Sequence, residues 1–148
     1  MAVQNSGSVI ALHDIEPARY PQLLELFAGE WWTASREPAA VEQMLARTDV
    51  VVGIVDTASD KLVGFARAIT DGTFLAVVLD VIVHPTYRRT GLGARLIEEL
   101  LTSPELADVD SIELVCQPEL VGFYQRWGFT NSVGRSLLMR RTKNPLLA

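Results

Sequence analysis

Two arginines and two glycines lie close together in the segment Arg88–Gly93, which reads RRTGLG and which we call the anion loop. The first turn of a helix presents unpaired N–H groups and the positive end of the helix dipole, and both stabilise an anion. Glycines have no Cβ atom, so a bulky anion can approach their backbone and a positive φ is accessible. Arginines add charge-assisted hydrogen bonds. The segment therefore predicts a site for a phosphate-type anion, and the alternative is an ordinary turn with solvated arginines.

The anion loop must be positioned by the elements on either side of it. The run from Phe74 to Val83 is apolar apart from Asp80, and such a run is typical of a strand covered on both faces. Pro85 ends this strand because it has no N–H and restricts the residue before it. After the loop, apolar residues recur at helical spacing. These are Leu96, Ile97, Leu100 and Leu101. The loop is therefore predicted to join a buried strand to the start of a helix.

The remaining elements follow from the same apolar periodicities and from turn residues. The other predicted strands are Ser8–His13, Val50–Val55, Leu62–Ile69 and Ser111–Cys116, with two closing strands in Thr130–Arg141 and Gly134 at their turn. The other predicted helices are Arg19–Gly29, Pro38–Arg47 and Glu119–Trp127. The expected order is βααβββαβαββ, which predicts an α/β fold with a mixed sheet flanked by helices.

Length and composition limit the classes of protein to consider. The chain has 148 residues, of which 49% are hydrophobic, and a formal net charge of -5. One domain spanning 1–148 is expected, with loose termini at 1–7 and 142–148. The acidic balance argues against nucleic-acid binding through a broad basic surface. The N-terminus lacks the features of a secretory signal and no run reaches transmembrane length, so we expect a cytoplasmic protein without a membrane partner.

The segments around the anion loop resemble a known family. Arg88, Gly91 and Gly93 form the pattern R-x-x-G-x-G after a strand that ends V-x-P-x-Y, and Phe123–Phe129 reads FYQRWGF. The two motifs resemble the acetyl-CoA signature and the F-Y-x-x-x-G-F segment of the GNAT (GCN5-related) N-acetyltransferases. More narrowly, Gly64–Gly93 is similar to the plastid and cyanobacterial type linked to arylalkylamine (serotonin) acetylation.

This resemblance implies a fold, a cosubstrate and a reaction. The fold is a mostly antiparallel central sheet in which the fourth and fifth strands splay apart into a V-shaped cleft. Acetyl-CoA would lie in that cleft, with its pantetheine paired to backbone like an added strand. The acetyl group would pass directly to a primary amine, such as an arylalkylamine or another small amine. The residues expected to contact acetyl-CoA are Val81, Ile82, Val83, Arg88, Arg89, Thr90, Gly91, Leu92, Gly93, Ala94, Phe123 and Arg126.

Three side chains are candidates for the proton transfers that amide formation needs. The resemblance places Tyr124 near the CoA sulfur, where a phenol of pKa ~10 could protonate a thiolate of pKa about 8.5. Asp80 is the candidate base, because burial raises the pKa of a carboxyl; the alternative is a structural carboxylate paired with an arginine such as Arg67. Tyr87 is a second candidate acid or proton relay. Packing is the alternative for both tyrosines.

Other residues with reactive or aromatic side chains give weaker indications. Trp31 and Trp32 could line a pocket for an aromatic amine, and core or lid packing is the alternative. Cys116, the single cysteine, excludes an internal disulfide and indicates a reducing compartment. It is expected to be a core residue rather than a nucleophile. Two histidines and one cysteine at unrelated spacing predict no metal site.

Three other functions are alternatives to a small-molecule acetyltransferase. The chain could be a non-catalytic acyl-CoA-binding or interaction module of the same fold, or it could acetylate proteins or peptides. A homodimer through the C-terminal strands is compatible with each of these. A dinucleotide-binding oxidoreductase is excluded, because Leu96 occupies the position of the third glycine in G-x-G-x-x-G.

Overall fold

The structure is a computed structural model that describes residues 8–148. The strands are β1 (Val9–Leu12), β2 (Val50–Asp56), β3 (Lys61–Thr70), β4 (Leu75–Val83) and β5 (Ser111–Leu114). The helices are α1 (Tyr20–Ala28), α2 (Pro38–Ala46), α3 (Leu92–Leu101), α4 (Pro104–Ala107) and α5 (Val121–Gln125). Single turns of 3₁₀ helix lie at Pro17–Arg19, Pro85–Tyr87, Pro118–Leu120 and Pro145–Leu147. The predicted segment 1–7 lies outside the described residues.

The strands form one five-stranded sheet in the order β1-β2-β3-β4-β5. Neighbouring strands are antiparallel except β4 and β5, which are parallel. The turn between β3 and β4 contains Gly72 at a φ of 79°. There the Asp71 carboxylate accepts hydrogen bonds from the backbone N–H groups of Thr73 and Phe74. The mixed, mostly antiparallel sheet flanked by helices confirms the predicted fold class.

Helices cover both faces of the sheet. Helix α3 buries Leu96, Ile97 and Leu100 on one face, together with Tyr124 of α5. Helices α1 and α2 cover the opposite face. The buried residues of that second cluster are Ile15, Leu23, Leu26, Phe27, Val41, Val55, Leu62, Phe65 and Ile82. Both faces of the central strands are therefore apolar, which explains the unbroken apolar runs in their sequences.

Strands β4 and β5 separate near the middle of β4. They pair from Leu75 with Ser111 to Val78 with Leu114, and β5 then ends. Strand β4 continues to Val83, so its residues 79–83 have no partner strand on that side within the described chain. This edge, which we call the open β4 edge, forms one wall of the predicted V-shaped cleft and confirms the splay.

An irregularity in β4 lies at the start of the open β4 edge. On β3, Phe65 pairs with Ile82 whereas Arg67 pairs with Leu79, so two residues of β4 lie opposite Ala66. One of them is Asp80, whose φ of 56° departs from strand geometry. Such a bulge bends and twists its strand locally. Pairing with β5 is lost at the same point.

The prediction of two closing strands in Thr130–Arg141 is wrong. In the described chain these residues form no strand, although Gly134 does take a turn conformation with a φ of 68°. The apolar side chains of Leu137, Leu138 and Met139 are largely exposed. Their apolar pattern finds no helix or sheet face to cover it, and β5 offers only four residues to pair with. The predicted homodimer relied on these strands and stays a prediction.

Among the described residues, no helix is both long enough and apolar enough to cross a bilayer.

Candidate active site

The anion loop leads into α3 with free backbone donors. Gly91 caps the helix at a φ of 86°, a conformation that suits glycine, and no side chain hydrogen-bonds to the helix start. The first helical hydrogen bond runs from the Arg95 N–H to the Gly91 carbonyl at 3.1 Å. The N–H groups of Leu92, Gly93 and Ala94 precede that bond and have no helical acceptor. The predicted anion site therefore has the backbone geometry that it requires.

The two glycines of the loop are needed for different reasons. No atom lies within 4 Å of the position that a Cβ on Gly91 would take, so the positive φ is what requires glycine there. A Cβ on Gly93 would lie 3.3 Å from Cζ of Phe123, tighter than an ordinary contact. Gly93 therefore leaves room for α5 as well as for an anion. This packing places Phe123, a predicted acetyl-CoA contact, directly against the start of α3.

The arginines of the loop differ in their contacts. Arg88 donates from Nη2 to the Glu30 carboxylate at 2.8 Å and from Nε to the Val83 carbonyl at 3.4 Å. Arg89, with a φ of 63°, is exposed and has no hydrogen-bonding partner within residues 8–148. Glu30 was not predicted from the sequence, because its local pattern shows no link to Arg88. An anion bound at the loop would compete with Glu30 for Arg88.

Arg126 and Thr90 complete the surroundings of the loop. The Arg126 guanidinium lies over the Trp127 ring at 4.8 Å, a cation–π contact that fixes it beside α5. The Thr90 hydroxyl donates to the Tyr87 carbonyl. Thr90 is therefore held in the turn that precedes α3.

Tyr124 lies in α5 and is buried on the α3 face of the sheet. Burial raises the pKa of its phenol to about 12, with a smaller contribution from Cys116 nearby. Its hydroxyl has no hydrogen-bonding partner in the described part of the chain, and it is not among the fully enclosed unpaired atoms. The hydroxyl therefore stays protonated at neutral pH and keeps contact with solvent, as a hydrogen-bond donor to a substrate requires.

Tyr87 has a partner for its hydroxyl. It donates to the buried Asp56 carboxylate at 2.5 Å. This hydrogen bond raises the pKa of Tyr87 and lowers the pKa of Asp56. Because the hydroxyl is already occupied, the geometry favours the packing alternative for Tyr87 over a role in proton transfer.

Asp80 is buried and binds two arginines. Arg36 donates from Nη1 to Oδ2 at 2.6 Å and from Nη2 to Oδ1 at 2.9 Å, and Arg67 donates from Nε to Oδ2 at 2.6 Å. Burial alone would raise the pKa of Asp80, but the two guanidinium groups together outweigh it and lower the pKa. The expectation of a raised pKa is therefore wrong. The pairing with Arg67 is the structural alternative named above, and Arg36 is a partner that the sequence did not indicate.

The segment between α1 and α2 supplies Arg36 and both tryptophans. The Arg36 guanidinium lies 4.8 Å from the centre of the Phe27 ring. Trp32 packs against the core under α1 and α2, which favours the packing alternative, whereas Trp31 is 54% exposed. Neither tryptophan contributes to the cavities described below.

Two cavities lie at the surface of the described chain and differ in their lining residues. One of about 200 Å³ lies beside the Asp80 ion pairs and is lined by Arg36, Ala40, Val41, Met44 and Arg67. A larger one of about 270 Å³, around His13 and Glu99, contains none of the predicted site residues. Its larger volume does not make it the active site, because it lacks the groups that acyl transfer needs. No set of three metal-binding side chains is clustered in residues 8–148.

Comparison with known proteins supports the same interpretation. The family profile described as "Acetyltransferase (GNAT) domain" matches residues 18–139. An uncharacterised N-acetyltransferase ycf52 of Pyropia yezoensis is 35% identical over 91 residues, 60% of this chain and 52% of that protein. Serotonin N-acetyltransferase 2, chloroplastic, of Oryza sativa subsp. japonica is 40% identical over 98 residues, 62% of this chain and 49% of that protein. The chain thus spans about half the length of these curated relatives.

The fold is also found among solved structures. The crystal structure of glucosamine-6-phosphate N-acetyltransferase from Arabidopsis thaliana superposes with a TM-score of 0.75, at 18% identity. The alignment covers 93% of this chain and 99% of that one. At this identity the likeness establishes the fold alone. Together with the profile match over most of the chain, it confirms the resemblance seen in the motifs: the chain belongs to the GNAT acetyltransferase family.

Proposed function

We propose that the chain is an acetyl-CoA-dependent N-acetyltransferase that acts on a primary amine. The observation that carries this proposal is the uncapped start of α3 beside the open β4 edge. Three N–H groups at Leu92–Ala94 suit the diphosphate of CoA, and Arg88 and Arg89 supply opposite charge. A pantetheine arm carries amide groups that can pair with the backbone of Val81–Val83 as an added strand would.

The chemistry requires one bond to form as another breaks. The neutral amine attacks the thioester carbonyl, the C–N bond forms, the C–S bond breaks and the thiolate leaves with a proton or a hydrogen bond. Tyr124 is the proposed donor to that sulfur. Its raised pKa makes full proton transfer to the thiolate unfavourable in the ground state, so its contribution is a hydrogen bond that strengthens as charge develops on sulfur.

Asp80 is proposed to hold Arg36 and Arg67 in place instead of serving as the base. Three hydrogen bonds from guanidinium groups occupy its oxygens, and its lowered pKa makes it a weak proton acceptor. The amine proton then passes to water. This assignment chooses between the two roles that the sequence left open.

The acceptor is proposed to be a small amine. The similarity to the rice protein named a serotonin N-acetyltransferase makes an arylalkylamine one candidate. Acetylation of proteins or peptides and a non-catalytic acyl-CoA-binding role remain the alternatives, and a cytoplasmic location stays a prediction.

The proposal is tested by incubating the purified chain with acetyl-CoA and a panel of arylalkylamines, polyamines, amino acids and peptides. Release of the free CoA thiol and mass spectrometry of the acceptor both report transfer, and calorimetry measures acetyl-CoA binding. Turnover with a small amine is the expected result. Binding without turnover of any amine would support the non-catalytic module, and absence of binding would overturn the proposal.

A further inference from the structure

The Asp80 ion pairs carry an excess of positive charge. The carboxylate of Asp80 is 3% exposed, whereas its partners Arg36 and Arg67 are 28% and 13% exposed as side chains. One carboxylate balances only one of the two guanidinium groups. A partly buried positive charge is costly unless an anion or water compensates it. We call Arg36, Asp80 and Arg67 the Arg–Asp–Arg cluster.

The donors that remain free in the Arg–Asp–Arg cluster belong mostly to Arg67. Asp80 accepts a hydrogen bond from Arg67 only at Nε. Both terminal nitrogens of Arg67, Nη1 and Nη2, therefore have no hydrogen-bonding acceptor among residues 8–148. Neither of them is a fully enclosed unpaired atom, so both retain contact with solvent. Two adjacent N–H donors in a planar fork match the two oxygens of a carboxylate or a phosphate.

Arg67 and Arg36 both line a small cavity that also has apolar residues in its wall. The cavity of about 200 Å³ is lined by the charged side chains of Arg36 and Arg67 together with Ala40, Val41 and Met44 of α2. Pockets that bind small molecules commonly combine apolar walls with a few placed polar groups. A ligand suited to this cavity has a compact carbon body and one anionic group.

The cavity also lies close to the open β4 edge, because the Asp80 partners Arg36 and Arg67 line it. Val41 and Met44 belong to the cluster on the α1 and α2 face of the sheet, whereas Leu92 at the anion loop belongs to the α3 face. Strand β4 separates the two faces, and Asp80 directly precedes Val81–Val83 of its open edge. Acetyl-CoA at the loop and an amine in the cavity would therefore approach the open β4 edge from opposite sides.

We propose that this cavity is the acceptor site, and that Arg67, held by Asp80 and assisted by Arg36, binds an anionic group on the amine. The acceptor is then an amine that also carries a carboxylate or a phosphate. This inference rests on the proposed acetyltransferase function and narrows its substrate class. It sets such acceptors apart from arylalkylamines, which have no anionic group.

Matched pairs of amines test the inference with the unaltered protein. Tryptamine is compared with tryptophan, and ethanolamine with phosphoethanolamine, by kcat/KM at saturating acetyl-CoA. We expect the anionic member of at least one pair to be favoured by about tenfold or more, as one charge-assisted hydrogen bond provides. The first pair reports on a carboxylate and the second on a phosphate. If the member without the anionic group reacts equally well or better in both pairs, the inference is wrong while the acetyltransferase proposal stands.

A substitution locates the effect at Arg67. Arg67→Gln removes the fork, and we expect KM for the anionic acceptor to rise by about ten- to a hundredfold. The kcat and the KM for acetyl-CoA should change much less, and Arg67→Lys, which keeps the charge without the fork, should fall between. Arg95→Gln is the control, because it removes an arginine of the surface ion pair with Glu99. Equal losses for acceptors with and without the anionic group in folded Arg67→Gln protein would refute the inference.

Discussion

Replacing Asp80 with asparagine tests whether this residue has a structural role, as the structure indicates, or serves as the base, as the sequence also allowed. Asp80→Asn keeps the size of the side chain but removes its charge, leaving Arg36 and Arg67 without a counter-ion. Removal of one partner from a buried ion pair costs about 3–5 kcal/mol. Asparagine still accepts a hydrogen bond and Arg36 is partly exposed to water, so we expect the lower end, about 3 kcal/mol. For a chain of this size that corresponds to a fall in Tm of roughly 6–12 °C.

The pH dependence of this loss follows from the direction of the pKa shift. The pKa of Asp80 is lowered in the folded protein from an ordinary value of 3.8. A carboxyl with a lowered pKa stabilises the fold above its ordinary pKa, and the stabilisation is lost as the pH falls through the lower folded value. The difference in stability between the wild type and Asp80→Asn should therefore be constant from about pH 5 to pH 8 and shrink only at more acidic pH.

Two measurements on the same variant separate the structural role from a role as base. Thermal unfolding followed by circular dichroism gives the Tm, and the pH–rate profile with acetyl-CoA and an amine gives the titration of catalysis. We expect a lower Tm and a profile of unchanged shape. An unchanged Tm together with slow turnover that recovers at higher pH would refute the structural role and restore Asp80 as the base. Asp108→Asn, at an exposed position, is the control and should change stability by less than about 0.5 kcal/mol.

Three further substitutions test the cosubstrate site and the proposed acid. Gly91→Ala forces a Cβ onto a residue with a φ of 86°, so acetyl-CoA affinity measured by calorimetry should fall, and the free energy of unfolding should fall by about 1 kcal/mol. Tyr124→Phe should lower kcat by about ten- to a thousandfold with little change in acetyl-CoA binding, and the loss should be constant up to about pH 10 because the pKa is about 12. Glu30→Gln frees Arg88 from its partly exposed ion pair and should tighten acetyl-CoA binding by about two- to fivefold.

Each of these substitutions has a control and an outcome that contradicts it. Gly72→Ala, also at a positive φ with open space around it, should lower stability but leave acetyl-CoA affinity unchanged. Equal acetyl-CoA affinity in folded Gly91→Ala would argue against the anion loop. If kcat of Tyr124→Phe is unchanged under conditions in which the chemical step limits the rate, Tyr124 is a packing residue and not the proposed acid. Glu25→Gln breaks a comparable surface ion pair with Lys61. If acetyl-CoA affinity rises equally in Glu25→Gln and Glu30→Gln, the change in net charge and not the release of Arg88 explains the effect.

The local sequence determined the elements that hold the cosubstrate site. The glycines and arginines of Arg88–Gly93, the apolar run before them and the helical spacing after them all act within a few residues. Short-range rules for turns, helix starts and buried strands therefore suffice to predict β4, the loop and α3. The same locality explains why the two motifs were enough to indicate the family.

The tertiary structure alone decided which side chains meet across the sheet. Arg36 and Asp80 are 44 positions apart, and Arg88 and Glu30 are 58 apart, so no local pattern could pair them. The sequence showed that a carboxylate in so apolar a strand must be neutralised, paired or used as a base. Which of these holds depends on the bulge in β4 and on the packing of the segment after α1.

The two closing strands were predicted from local sequence but do not form in the structure. The apolar residues of Thr130–Arg141 form strands only if a neighbouring edge and a buried face are available to them. In the described chain β5 is four residues long and no such face covers Leu137 or Met139, so the local preference is not realised. Local pattern therefore determined the elements that pack against the core, and long-range contacts decided the side-chain pairs and the fate of the terminal segment.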